Sequence, residues 1–198
     1  MSLSPVTLEG RYIRLEPLSR QHHHDLVKAG AEPAIWQWLS SSHESPEGMA
    51  AFIDDALASQ ENGTTLSFAI VDRRSVTAIG SSGYHRIEPA HRRLEIGFTW
   101  IAPAFQRTAT NTEAKYLMLR HAFDTLGFRR VEFKTDSNNH RSQAALRRIG
   151  AVEEGTFRNH MLYPDGRTRD SVYFSIIAEE WPGVKRNLEA KLYDPGTA

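Results

Sequence analysis

Between Leu66 and Ile177 the spacing of apolar residues switches repeatedly between a period of about two and one of about 3.6. This alternation constrains the fold more than any other feature. Residues 66–71, 77–84 and 94–101 read as three successive strands with turns between them, which predicts an antiparallel meander. From about residue 112 to 126, Ala114, Leu117, Met118, Ala122 and Leu126 recur three or four apart, so a helix follows and Gly127 stops it. Residues 131–135 return to strand. Residues 141–149 form a second helix with Ala144, Ala145 and Ile149 facing inward and Gly150 at its end. Residues 156–162 and 171–177 then make a hairpin across the turn Pro164-Asp165-Gly166. Strand–helix–strand passages need crossover connections, so part of the sheet is expected to be parallel within a mixed, mostly antiparallel α/β fold flanked by helices.

Around this centre, residues 12–17 alternate apolar and polar and meet Pro17, as a half-buried first strand does. Ser19 is placed to cap a short helix carrying Leu26 and Val27. Residues 33–61 hold helical segments interrupted by Ser40-Ser41-Ser42 and Pro46, and Asn62-Gly63 ends them. Trp181-Pro182 opens a C-terminal helix. With no repeat, low-complexity tract or long linker, residues 1–198 read as a single domain.

Composition narrows the chemistry. Apolar residues are 40% and charged residues 24% of the chain, an ordinary globular balance that excludes intrinsic disorder. There is no cysteine, which excludes disulfides, thiolate metal sites and an acyl-cysteine route. The 24 basic and 24 acidic residues cancel, which supplies no global attraction to nucleic acid or an anionic membrane. No window has the roughly 18 to 20 apolar residues of a membrane span, and Met1-Ser2-Leu3-Ser4-Pro5 lacks a secretory pattern, so the expected location is cytoplasmic. His22-His23-His24 do not share a helix face and lack an accompanying carboxylate–histidine spacing, so no metal is expected.

Charge is nevertheless uneven. From Arg107 to Arg148 there are nine Lys or Arg residues against four acids. Within this stretch, Gln106, Arg107, Thr108, Ala109, Thr110, Asn111 and Thr112 leave a strand and open a helix. Small and hydroxyl residues there let backbone N–H groups approach an anion at the positive end of the helix dipole, while Asn111 or Thr112 serves as cap. A polyphosphate ligand and a solvated basic face both fit this pattern.

Leu94-Glu95-Ile96-Gly97-Phe98-Thr99-Trp100-Ile101, the segment Gln106 to Ala114, Asn139-His140-Arg141-Ser142 and Ile149-Gly150-Ala151 together resemble the GCN5-related N-acetyltransferase (GNAT) superfamily. Within it the chain is most similar to the RimJ/RimL-type branch of ribosomal-protein N-terminal acetyltransferases. Glu153 to Arg158, Asp165-Gly166-Arg167, Arg169-Asp170-Ser171, Trp181-Pro182 and the opening Leu8 to Leu15 fit that branch as well. The resemblance implies a sheet splayed at its centre, with acetyl-CoA in the split and its pyrophosphate on the start of the central helix. Ala109 and Asn111 stand where relatives carry Gly and Gly/Ala, so a positive φ at the first position would strain Ala109.

The same resemblance assigns Asn139 to the pantetheine arm, Ser142 to the neighbourhood of the thioester sulfur, and Trp100 and Ile101 to backbone contacts with the pantetheine amides and the acetyl group. Many relatives place a general-acid tyrosine where this chain has Leu146, which leaves Ser142 or a water it holds. Glu95 is the candidate general base, or else pairs with Arg92 or Arg93. Trp36 and Trp38, from the early helices that wall the acceptor site in the family, are candidate acceptor contacts or else core residues, and Tyr84 and His85, at a strand end, either touch the acceptor or pack and cap the sheet. The function so implied is acetyl transfer from acetyl-CoA to a primary amine, such as a protein N-terminal α-amine, by direct attack in a ternary complex. A non-catalytic acyl-CoA-binding regulator and a small-molecule (polyamine or antibiotic) acetyltransferase are the alternatives.

Overall fold

The computed structural model describes residues 3–163 and 165–194. Eight strands form one sheet: β1 (Leu8–Glu9), β2 (Ile13–Pro17), β3 (Leu66–Asp72), β4 (Ala78–Glu88), β5 (Arg93–Ile101), β6 (Arg130–Asp136), β7 (Val152–Leu162) and β8 (Thr168–Ile177), in the order β1-β2-β3-β4-β5-β6-β8-β7. Five α-helices pack on it: α1 (His23–Ala29), α2 (Pro46–Glu61), α3 (Ala109–Arg120), α4 (His140–Arg148) and α5 (Trp181–Tyr193). The expected meander is β3-β4-β5, and the parallel pair is β5 with β6, joined through α3. The β7–β8 hairpin matches the sequence reading, although Pro164 of its expected turn lies outside the described residues. Among the described residues no helix is long and apolar enough to cross a membrane.

Side-chain alternation along the strands divides the core in two. Leu66, Tyr84, Leu94, Ile96, Val131, Phe174 and Ile176 pack against Leu117 and Met118 of α3 on one face. On the other face Ala69, Val71 and Trp100 pack with Leu26, Trp36 and Phe52 from the α1–α2 region. Only the segment after Pro46 of the helical stretch expected at 33–61 is a long helix. Ser45 caps it by accepting the Gly48 N–H at 3.0 Å, while residues 33–35 make a single 3-10 turn.

The central helix starts earlier than its apolar spacing indicates, at Ala109, because Thr108 rather than Asn111 or Thr112 caps it. Glu113 ties it to the first strands: its buried carboxylate accepts the N–H groups of Arg11, Tyr12 and Ile13 at 2.7 to 2.8 Å and the Tyr193 hydroxyl at 3.0 Å. In α4 the inward residues are Gln143 and Leu146, whereas Ala144, expected to be buried, is exposed. Ala144 and Ala145 instead line the opening at the sheet's centre.

Candidate active site

That opening follows from strand pairing. β5 and β6 share only three registered pairs, ending at Glu95 with Glu132. Beyond that point β5 stays with β4, where Ile101 pairs with Gly80, and β6 stays with β8, where Asp136 pairs with Ser171. The two halves diverge and leave a cleft of about 1180 Å³, larger than the roughly 300–1,000 Å³ usual for a drug-sized ligand. The β6-facing backbone edge of β5 from 96 to 101 has no ladder partner there, so its N–H and C=O groups are available to an extended, amide-bearing chain. Trp100 and Ile101 both line the cleft.

At one side of the cleft the chain leaves β5 through a 3-10 turn, Pro103–Phe105, and enters α3. The Gln106 side-chain amide donates to the Ile101 carbonyl at 2.8 Å, holding the turn to the strand end. The Thr108 hydroxyl donates to the Phe105 carbonyl at 2.7 Å and accepts the Thr110 N–H at 3.2 Å. Gln106, Arg107, Thr108 and Asn111 line the cleft, but Ala109, Thr110 and Thr112 do not. Thr110 and Thr112 are buried, with Thr112 accepting from Arg148 at 3.3 Å, so those positions offer a ligand backbone at most. The left-handed residue is Arg107, with φ +63°; Ala109 is the first helical residue, and the strain anticipated for it does not arise. Arg107 and Arg141 line the cleft at the starts of α3 and α4, and Arg148, at the end of α4, reaches Thr112 in the first turns of α3. Cationic side chains and helix N-termini there form a donor set suited to a polyphosphate.

Asn139 caps α4, its carboxamide oxygen accepting the Ser142 N–H at 3.0 Å, which leaves its NH₂ group for a ligand. Asn139, half-buried Ser142 and Leu146 line the cleft, and no tyrosine does among the described residues.

Glu95 and His85 are opposite one another on β5 and β4 and line the cleft from the face away from α3. Glu95 is 4% exposed and does not pair with Arg92 or Arg93. Arg92 donates to the Gly127 carbonyl, and Arg93 bridges Glu88 and Glu132. Glu95 instead accepts from Lys134 at 3.1 Å, with Arg86 at 3.8 Å. Burial holds the His85 imidazole below its ordinary pKa, against the opposing pull of Glu95, and its Nε2 is buried without a partner. Of the other acceptor candidates, Trp38 lines the cleft. Trp36 does not: its indole N–H donates to the Gly30 carbonyl at 2.8 Å and its ring packs on Trp100 with centroids 5.0 Å apart. Tyr84 points the opposite way, into the α3 face, and donates to the Met118 carbonyl at 2.7 Å.

Sequence reasoning passed over Lys115. Only 5% exposed, it reaches from α3 into the cleft wall and donates to Thr99 Oγ1 at 2.6 Å. No carboxylate pairs with it among the described residues, and burial lowers its pKa to about 7. The available signal was a lone lysine directly after Ala114 and before the apolar run Tyr116-Leu117-Met118-Leu119.

The Acetyltransferase (GNAT) domain family matches residues 13–152. Over 106 residues the chain is 36% identical to the protein named "Putative ribosomal N-acetyltransferase YdaF" of Bacillus subtilis (strain 168). The match covers 54% of this chain and 57% of that protein, so the chain spans little more than half of that relative's length. A solved GCN5-related N-acetyltransferase from Brucella melitensis is 33% identical, with a TM-score of 0.91 over 98% of this chain and 88% of its own. Mycobacterium smegmatis RimJ in complex with CoA-disulfide shares the fold at 21% identity, with a TM-score of 0.82 and 94% of each chain covered.

Proposed function

The chain belongs to the GNAT acetyltransferase family, and from that premise we propose that it transfers an acetyl group from acetyl-CoA to the α-amine of a peptide or protein N-terminus. The observation that carries this reading is the divergence of β5 and β6 after Glu95, with the starts of α3 and α4 opening on the same cleft. The word "ribosomal" in the YdaF name and the CoA-disulfide held by RimJ agree with an acyl-CoA site and a protein acceptor. Acetyl-CoA supplies an activated acyl group. Arg107, Arg141 and Arg148 with the α3 N-terminus hold phosphates, the free edge of β5 pairs with the pantetheine amides, and Asn139 adds a side-chain donor.

The residues on the other face prepare the amine. His85, buried and neutral, has a free Nε2 to take a proton, and Glu95, fixed by Lys134, stabilises the imidazolium that results. A backbone N–H of β5 near Trp100 polarises the thioester carbonyl, and Ser142 or a water on it returns a proton to the departing thiolate. A free α-amine, with a pKa of about 7.7 to 8.0, is already about a tenth neutral at pH 7, so this modest apparatus suffices. A loop altered at Ala109 and Asn111 would favour a non-catalytic acyl-CoA binder, but Ala109 lies in ordinary helix. CoA release measured against N-terminal peptides, polyamines, aminoglycosides and amino acids tests the assignment. Turnover confined to polyamines or aminoglycosides rejects the peptide acceptor, and no turnover with any amine rejects the transferase.

A further inference from the structure

Arg169 is 7% exposed and lines the cleft, its side chain makes no ion pair or hydrogen bond among the described residues, and its Nε is buried without a partner. A buried guanidinium with nothing opposite it is costly to keep. Val172, Phe174 and Ile176 of β8 face the α3 core, so alternation puts Arg169, Ser171 and Tyr173 on the other face, with Glu95, His85 and Lys134. The pyrophosphate-binding helices are on the far side of the sheet from this group.

The buried side-chain atoms lacking any partner among the described residues belong to Thr65, His85, Trp100, His160, Arg169 and Ser171. Thr65 precedes Leu66, which faces α3, and Trp100 packs in the α1–α2 core, so these orphans gather on the acceptor face. The His160 imidazole is held below its ordinary pKa first by burial and then by the charges of Lys134, Arg86 and Arg169. Against them stands Glu95 in the cleft. Asp136 accepts from the Tyr163 hydroxyl and the Asn138 N–H, makes no ion pair with Arg169, and does not line the cleft.

We propose that Arg169 is the anchor of an anion subsite, so that the acceptor carries a carboxylate close to the amine it presents. Resting on the amine-acetylation reading, this narrows the substrate to an amine-plus-carboxylate molecule: a peptide with an acidic side chain directly after its N-terminal residue, or a free amino acid. Arg169 pairs with the carboxylate through its planar fork, and Glu95 and His85 are left to the amine. A polyamine or aminoglycoside would instead bring further cations against Arg86, Lys134 and Arg169.

The test compares peptides with Asp or Glu at the second position with their Asn or Gln counterparts, alongside free amino acids, for kcat/KM and for binding to the CoA-loaded protein by calorimetry. Acidic peptides or amino acids are expected to exceed neutral isosteres by about tenfold to a hundredfold. Whichever of the two is preferred identifies the source of the carboxylate. R169M should abolish the preference while changing neutral-peptide turnover and CoA affinity by less than about twofold, and R169K should retain part of it. Equal use of neutral and acidic acceptors by the wild type overturns the proposal, and needs no variant to fold. Equal loss for both acceptors in a folded R169M overturns it too. Selective calorimetric binding of the acidic amine without acetyl transfer would sink the transferase reading and leave the anion subsite standing.

Discussion

Lys134 Nζ lies 3.1 Å from Glu95 Oε2, across the last point at which β5 and β6 still pair. The Glu95 carboxylate is therefore oriented from the neighbouring strand, two residues past the final registered pair. Its position depends on the same divergence that opens the cleft.

The first prediction concerns this pair and pH. E95Q should lower kcat/KM by about tenfold to a hundredfold, the low end for a proton-transfer group, because His85 remains to accept the proton. H85Q should cost more. For a peptide acceptor, kcat/KM should rise with pH to a plateau near the α-amine pKa of about 8, since the buried imidazole, its pKa lowered, is already neutral there. A profile in E95Q that loses this rise would reject the assignment.

Arg107 separates strain from ligand binding. Its φ of +63° suits glycine, so R107G should raise the melting temperature of the free protein slightly, whereas R107A should not. Both should weaken CoA binding by about 1 to 3 kcal/mol in calorimetry, as expected for losing a charge-assisted contact. Undiminished CoA affinity in both variants would remove Arg107 from the phosphate site.

At Asn139, substitution can divide the observed cap of α4 from the proposed contact with the pantetheine arm. N139D keeps an oxygen to cap α4, so its stability should be close to wild type, but the NH₂ donor to the pantetheine arm is gone and acetyl-CoA binding should weaken. N139A should lose about 1 kcal/mol of stability as well. S142A, by contrast, should lower kcat with little effect on CoA affinity. An unchanged kcat in S142A transfers the proton to water or to another residue.

Lys115 links the cleft to stability. Its folded pKa of about 7 lies below the unfolded value of about 10.4, so between those values the unfolded chain binds more protons and stability rises with pH. Below pH 7 both states are charged and the cost of burial is fully felt. K115M should therefore be more stable than wild type at pH 6, by on the order of a few kcal/mol, and so melt higher, with the difference shrinking toward pH 10. Parallel melting-temperature curves for the two proteins across that range would contradict a buried, unpaired amine.

The local code in the sequence determined the order of the central strands and helices, the crossover that makes β5 and β6 parallel, and the position of the strand-to-helix turn at Gln106. Apolar period, turn residues and helix stops act over a few neighbours and are visible without the fold. Asn139, Ser142, Trp100 and Ile101, assigned from the family resemblance, line one cleft with Gln106, Arg107, Thr108 and Asn111 of the strand-to-helix turn. The tertiary structure alone decided which of two adjacent residues faced which side. Tyr84 went to the α3 core and His85 to the cleft, and Trp36 to the α1–α2 core while Trp38 lined the opening. It also decided the partner of Glu95, 39 residues away on β6 rather than beside it on β5. For the same reason nothing local marked Arg169, and Lys115 carried only its place beside an apolar run; neither has an ion-pair partner among the described residues. A lysine or arginine is identical on a solvated face and in a cleft wall until packing across distant strands removes its water, and desolvation is a property of the assembled sheet.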